Sequence, residues 1–206
     1  MPDRRSPLMK APWPYGLWLF FAGLEALFLI HIAEFLYPGY SVSQDYISEL
    51  GVGPSTPRAI FVAALVAFGL LVLAGSFLLR QRDPRSRLWL LLGVSAVGAI
   101  GVGVFDMDNF RELHGLSALL AFLFGNLAAV YSSRKVRPPV SYLFLALGLT
   151  GLSALALLGA EMDLGLGLGG IERMVFYPAM FWLLAFGIYA LVEEGAVGGP
   201  SGPGKS

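Results

Sequence analysis

A few residues in this chain have the types and spacing for chemistry: two histidines, one loop serine and a set of carboxylates. His114 closes the stretch Asp106-Met107-Asp108-Asn109-Phe110-Arg111-Glu112-Leu113-His114. An imidazole can serve as general base near neutral pH, and a nearby carboxylate can orient it or share a metal ion with it. Ser48, within Tyr46-Ile47-Ser48-Glu49-Leu50-Gly51, supplies a hydroxyl that such a base could activate. His114, Ser48 and Asp106 are therefore the candidate catalytic set. The same residues also suit structural work. Asp108 or Asn109 could cap a helix that His114 enters by one turn, with a neighbouring helix approaching at Gly115.

A second group could bind rather than react. Ser43–Gly51 reads as a short amphipathic interfacial helix, with Ser43 as N-cap and Gly51 as its stop. It would present Asp45, Ser48 and Glu49 to a cavity, or to solvent. Asp108 joins them from the second loop, and Glu172, Arg173 and Tyr177 from the third. A guanidinium fork matches a carboxylate, so Arg173 either pins the sixth helix to the first or second of these loops or grips a substrate phosphate or carboxylate. The run Leu164-Gly165-Leu166-Gly167-Leu168-Gly169-Gly170 is a flexible, mildly apolar link, with no strand–helix unit to make it a dinucleotide loop. Inside the apolar runs stand Glu25, His31 and Glu34. His31 and Glu34 share a helix face while Glu25 points elsewhere, so one proton wire down that helix is not supported. Glu25 should be neutral, or hydrogen-bonded to Ser76, Ser95, Asn126 or Ser153 of another helix.

No cysteine occurs, which excludes disulfides, thiolate nucleophiles and thiolate metal sites. A catalytic zinc takes three protein ligands and water. With two histidines in all, the three-histidine pattern of ceramidase-like and progestin-receptor-like membrane hydrolases cannot be built. No metal or cofactor is expected. A net charge of zero argues against a nucleic-acid partner.

The elements that must position these residues are membrane helices. Of 206 residues, 56% are hydrophobic and 14% charged, against about 25% charged in soluble domains. Six apolar runs are long enough to cross a bilayer, once the third and fourth are extended by a turn: 15–36, 59–79, 88–104, 116–131, 142–159 and 174–191. The first carries Glu25, His31 and Glu34 and no small-residue cleavage motif, so it reads as a retained helix and not a signal peptide. Eleven of the fourteen basic residues fall in the tails and in the loops around 80–87 and 132–139. The other three, Arg58, Arg111 and Arg173, lie in the alternate loops with most of the acids. Cytoplasmic loops are the basic ones, which puts both termini inside and the site candidates on the outer face of the plasma membrane. The basic loops suit anionic headgroups. The domain organisation is a cytoplasmic tail over 1–14, a six-helix membrane domain over 15–194 and a disordered Gly/Pro/Ser-rich tail over 195–206.

Three stretches in order carry a family resemblance: Tyr46-Ile47-Ser48-Glu49-Leu50-Gly51, Gly101-Val102-Gly103-Val104-Phe105-Asp106 with His114, and Glu172-Arg173 with Tyr177-Pro178 and Trp182. Through these the chain resembles the DUF998 family of uncharacterised six-helix integral membrane proteins, over most of 15–191. The resemblance implies an all-α six-helix bundle with Ser48, His114 and Arg173 on the outer face, and brings no activity. The expected function is an outward-facing polar pocket for a lipid headgroup or other small amphiphile. That pocket would be walled by the first, fourth and sixth helices, with membrane lipids as partners; an oligomer is compatible with it. The alternatives are a lipid-modifying hydrolase or transferase using His114 with Ser48 or Asp106/Asp108, and an ion- or proton-coupled transporter using Glu25, His31 and Glu34. The transporter reading lacks an internal repeat and a central proline, since Pro178 is expected in the first turn of the sixth helix. A scaffold or assembly subunit would also fit.

Overall fold

A computed structural model describes residues 14–198, with side chains described through Glu193. Six helices form an all-α bundle: α1 (Tyr15–Phe35), α2 (Ser55–Arg82), α3 (Leu88–Val104), α4 (Arg111–Ser133), α5 (Val140–Gly159) and α6 (Leu168–Gly198). All but α3 are long and apolar enough to cross a membrane, and α3 is a 17-residue apolar helix. The protein is a polytopic membrane bundle. The tails expected over 1–14 and 195–206 lie outside the described residues, except for Pro14 and 195–198, the last turn of α6.

Prolines and glycines set the helix ends. α1 stops at Phe35 because Pro38 cannot continue it, and Gly39 turns the chain with φ 79°. Pro57 is tolerated in the first turn of α2, and Asp83-Pro84 ends that helix. At 28 residues α2 is about 42 Å long, beyond the roughly 30 Å hydrocarbon core, so Arg58 and Arg80/Arg82 emerge at its two ends.

The helices pack in cyclic order, each against the next, with α6 returning to α1 and also touching α4. In lipid no hydrophobic force drives helices together, so close approach and interhelical hydrogen bonds must. A Cβ on Gly98 of α3 would stand 2.5 Å from the Ala121 nitrogen and 2.6 Å from the Ser117 oxygen of α4. One on Gly16 of α1 would stand 2.5 Å from the Gly187 oxygen of α6. Ser95 Oγ donates to the Ala121 carbonyl at 2.8 Å, and Trp182 Nε1 donates to Ser132 Oγ at 2.8 Å.

Several expectations are corrected here. The interfacial helix over 43–51 is only a 3₁₀ turn, Ile47–Gly51, because 41–45 closes separately: Asp45 N–H donates to the Ser41 carbonyl, and the Asp45 carboxylate accepts the Ser41 N–H at 2.7 Å. Ser43 caps nothing there. α4 starts five residues earlier than its apolar run, with Phe110 rather than Asp108 or Asn109 at its N-cap. Gly115 has no neighbouring atom where a Cβ would be, so no helix approaches it. α6 begins at Leu168, which puts Pro178 in the helix interior instead of its first turn. The Gly-Leu run is not a slack link, since Gly167, Gly169 and Gly170 carry the backbone of Ser43–Asp45 against them.

Candidate functional site

The loops joining α1–α2, α3–α4 and α5–α6 meet at one end of the bundle, tied by contacts from 41–47 to α6 and from Arg58 to Asp106. The candidate residues separate there into two groups with different environments.

The first group is a buried latch. Arg173, 4% exposed, donates from Nη2 to Glu34 Oε1 at 2.5 Å and to Tyr40 Oη at 2.8 Å. Its Nη1 donates to the carbonyls of Asp45 at 3.0 Å and Gly169 at 2.9 Å. Tyr40 Oη donates its own hydrogen bond to the Tyr46 carbonyl at 2.7 Å, and burial holds that phenol in its neutral form. Glu172, also buried, accepts the Ile47 N–H. Adjacent residues of α6 thus hold the first loop at three points, Tyr40, Asp45 and Ile47, and α1 at a fourth, Glu34. Asp45 contributes its carbonyl to the latch and spends its carboxylate on its own turn. Glu49 stands beside it, its carboxyl pushed up by burial first and by the Asp45 charge second.

The second group surrounds a cavity of about 240 Å³ lined by Ser48, Arg58, Phe61, Val102, Asp106 and His114 among others. All three catalytic candidates line it. Its walls are the 3₁₀ turn, α2, the end of α3 and the start of α4; of the expected walls α1, α4 and α6, only α4 contributes. His114 is 6% exposed, and its Nδ1 lies 2.7 Å from the Phe105 carbonyl. A carbonyl only accepts, so in the neutral ring Nδ1 carries the proton and Nε2 keeps its lone pair. Asp106 accepts the Asn109 N–H at 2.8 Å, the Asn109 side-chain amide at 3.0 Å and the Asp108 N–H at 3.1 Å. The Asn109 backbone and then its amide hold this carboxyl below the usual range, with Arg58 adding a smaller pull at 3.8 Å. Among the described residues, no hydrogen bond joins Ser48 to His114 or His114 to Asp106.

The remaining candidates stand elsewhere. Asp108 is exposed on the turn before α4. Tyr177 stacks on His31 with ring centroids 5.7 Å apart, its hydroxyl 3.2 Å from His31 Nε2. Glu34 belongs to the latch. Glu25 has both carboxylate oxygens buried without a partner, since Ser76, Ser95 and Asn126 all bond to backbone carbonyls instead. Among the described residues, no group of three or more histidine, aspartate or glutamate side chains converges to hold a metal ion. Arg58 is the cavity residue that the sequence did not single out. Its one signal was that it is one of only three basic residues in the acidic loops.

A family model described as "Protein of unknown function (DUF998)" matches residues 20–189. The chain belongs to the DUF998 family. No curated protein and no solved structure matches this DUF998 chain. The matched span takes in the latch and the cavity together, from Glu34 to Arg173.

Proposed function

We propose that this DUF998 protein holds the polar head of a lipid or other membrane amphiphile in the cavity between the 3₁₀ turn, α2 and α4, on the outward face of the plasma membrane. The observation that carries the reading is the placement of Ser48, Arg58, Asp106 and His114 around one cavity at the end of a membrane bundle. Polar groups convergent in an otherwise apolar enclosure are the usual makings of a small-molecule site. Orientation is supported by charge: the opposite end carries Arg80, Arg82, Arg85, Arg87, Arg134, Lys135 and Arg137, and basic loops stay cytoplasmic. Mass spectrometry of amphiphiles that co-purify with the protein tests the reading. Ser48→Trp, which fills the cavity, should release the bound species from an otherwise folded bundle; full retention would contradict it.

A second reading, a lipid-modifying hydrolase or transferase, rests on the His114 tautomer. The Phe105 carbonyl leaves Nε2 as the acceptor, the form a general base requires, and Ser48 lines the same cavity. Turnover of an ester-containing lipid that survives His114→Ala unchanged would eliminate this reading.

A further inference from the structure

The cavity has a neighbour. Beside it an open groove of about 680 Å³ runs down the membrane-facing side of α2, and Arg58 and Val62 line both spaces. Ala59, Val62, Ala63 and Val66 recur at helical spacing, so they form one face about 10 Å long whose small side chains leave the groove open. A polar chamber and an open apolar groove that share Arg58 and Val62 in their lining are placed to take a headgroup and the acyl chain that continues it.

The charges at the junction narrow the headgroup. Arg58 is half-exposed and lies 3.8 Å from Asp106, too far for the paired hydrogen bonds that a guanidinium makes with a carboxylate. Arg173 at the same end is spent on four acceptors, whereas the Arg58–Asp106 contact is loose. Asp106 keeps its negative charge because the turn 106–109 hydrogen-bonds it. The junction therefore offers a positive and a negative group a few ångströms apart, a pair with no net charge. Such a pair complements a ligand that also carries both signs, and disfavours one carrying a single excess charge.

Resting on the reading above that the cavity holds a polar head, we propose that its ligand is a zwitterionic phospholipid. The phosphate sits on Arg58, the ammonium on Asp106, and one acyl chain lies along Ala59–Val66. Ser48 Oγ remains to donate to a phosphate or glycerol oxygen, and His114 Nε2 to accept an ammonium N–H.

The test reconstitutes the full chain with equal amounts of phosphatidylethanolamine and phosphatidylglycerol of matched acyl chains, then measures retained lipid by native mass spectrometry. The wild type should enrich phosphatidylethanolamine. Arg58→Gln should lower retention of both lipids about tenfold, the loss of one charge-assisted contact. Asp106→Asn should abolish the preference while phosphatidylglycerol still binds. Ala63→Phe, which fills the groove, should lower retention of both without altering their ratio. Equal or greater enrichment of phosphatidylglycerol by the wild type overturns the proposal and needs no variant to be interpreted. So does a ratio indifferent to Asp106→Asn in a variant that unfolds at the wild-type temperature. An amphiphile without phosphate that stays bound, and leaves only on Ser48→Trp, would sink the phospholipid assignment and spare the broader reading. Lipid unaffected by Ser48→Trp would remove both.

Discussion

Arg173 makes four hydrogen bonds from a nearly sealed site, and its acidic partner at bonding distance, Glu34, is about as well covered. Removing one member of a buried ion pair leaves the other charged and unpaired, which costs about 3–5 kcal/mol. Arg173→Gln should therefore lower the unfolding temperature in detergent sharply, and the double variant with Glu34→Gln should recover part of the loss. Equal stability of Arg173→Gln and wild type would show that the latch is incidental. Asp106 calls for a different measurement. Its carboxyl is held low in the folded chain by Asn109, so its contribution is present above the ordinary aspartate range and is lost as pH falls through the depressed folded value. Signals from the 106–109 turn should titrate with a midpoint below the ordinary aspartate value, and Asn109→Ala should move that midpoint upward. A transition at or above the usual aspartate value in the wild type would contradict this reading of the turn.

At the scale of elements, the glycines divide into those that seat a neighbouring helix and those that do not. Gly98→Ala drives a methyl into the α4 backbone and should cost about 1–3 kcal/mol. Gly115→Ala meets open space within α4 and should be neutral or stabilise by about 0.5–1 kcal/mol. Thermal unfolding of the two variants checks both, and a reversed order would refute the packing of α3 on α4. Hydropathy made the six helices legible, because bilayer thickness fixes how long an apolar run must be. It missed their ends where polar residues continue the helix beyond the lipid, as at Ser55–Arg58, Arg111–Gly115 and Leu168–Arg173. Those overhangs position the site. Ser48, Asp106 and His114 were legible as chemistry-bearing types, and they do share one cavity. Their company was not legible, since Arg58 reaches the cavity only because α2 starts early, and the roles of Glu172 and Arg173 depend on contacts more than a hundred residues away in sequence.

The molecule as a whole has a polarity that follows from its sequence: acidic and site-bearing loops at one end, basic loops at the other. Lys135 and Asp83, 3.4 Å apart, join two of the basic loops much as Arg58 and Asp106 join the site loops. The chain has no cysteine, so single cysteines can be introduced for labelling without background. Cysteines at Asn109 and at Arg85 should react with an impermeant reagent on intact cells only at the first position, and labelling of Arg85→Cys alone would reverse the proposed orientation. Among the described residues the three intramembrane groups form no continuous path, because Glu34 is bonded to Arg173, His31 to Tyr177, and the Glu25 carboxylate oxygens have no hydrogen-bond partner. The proposed amphiphile site lies at the junction of α2 with the loops. Photo-crosslinking with a phospholipid carrying a diazirine in its acyl chain tests it most directly, with adducts mapped by peptide mass spectrometry. Adducts concentrated on residues 59–66 and displaced by excess unlabelled lipid are the predicted result; adducts spread equally over the exposed faces of α2 and α5, and undiminished by competitor, would contradict it.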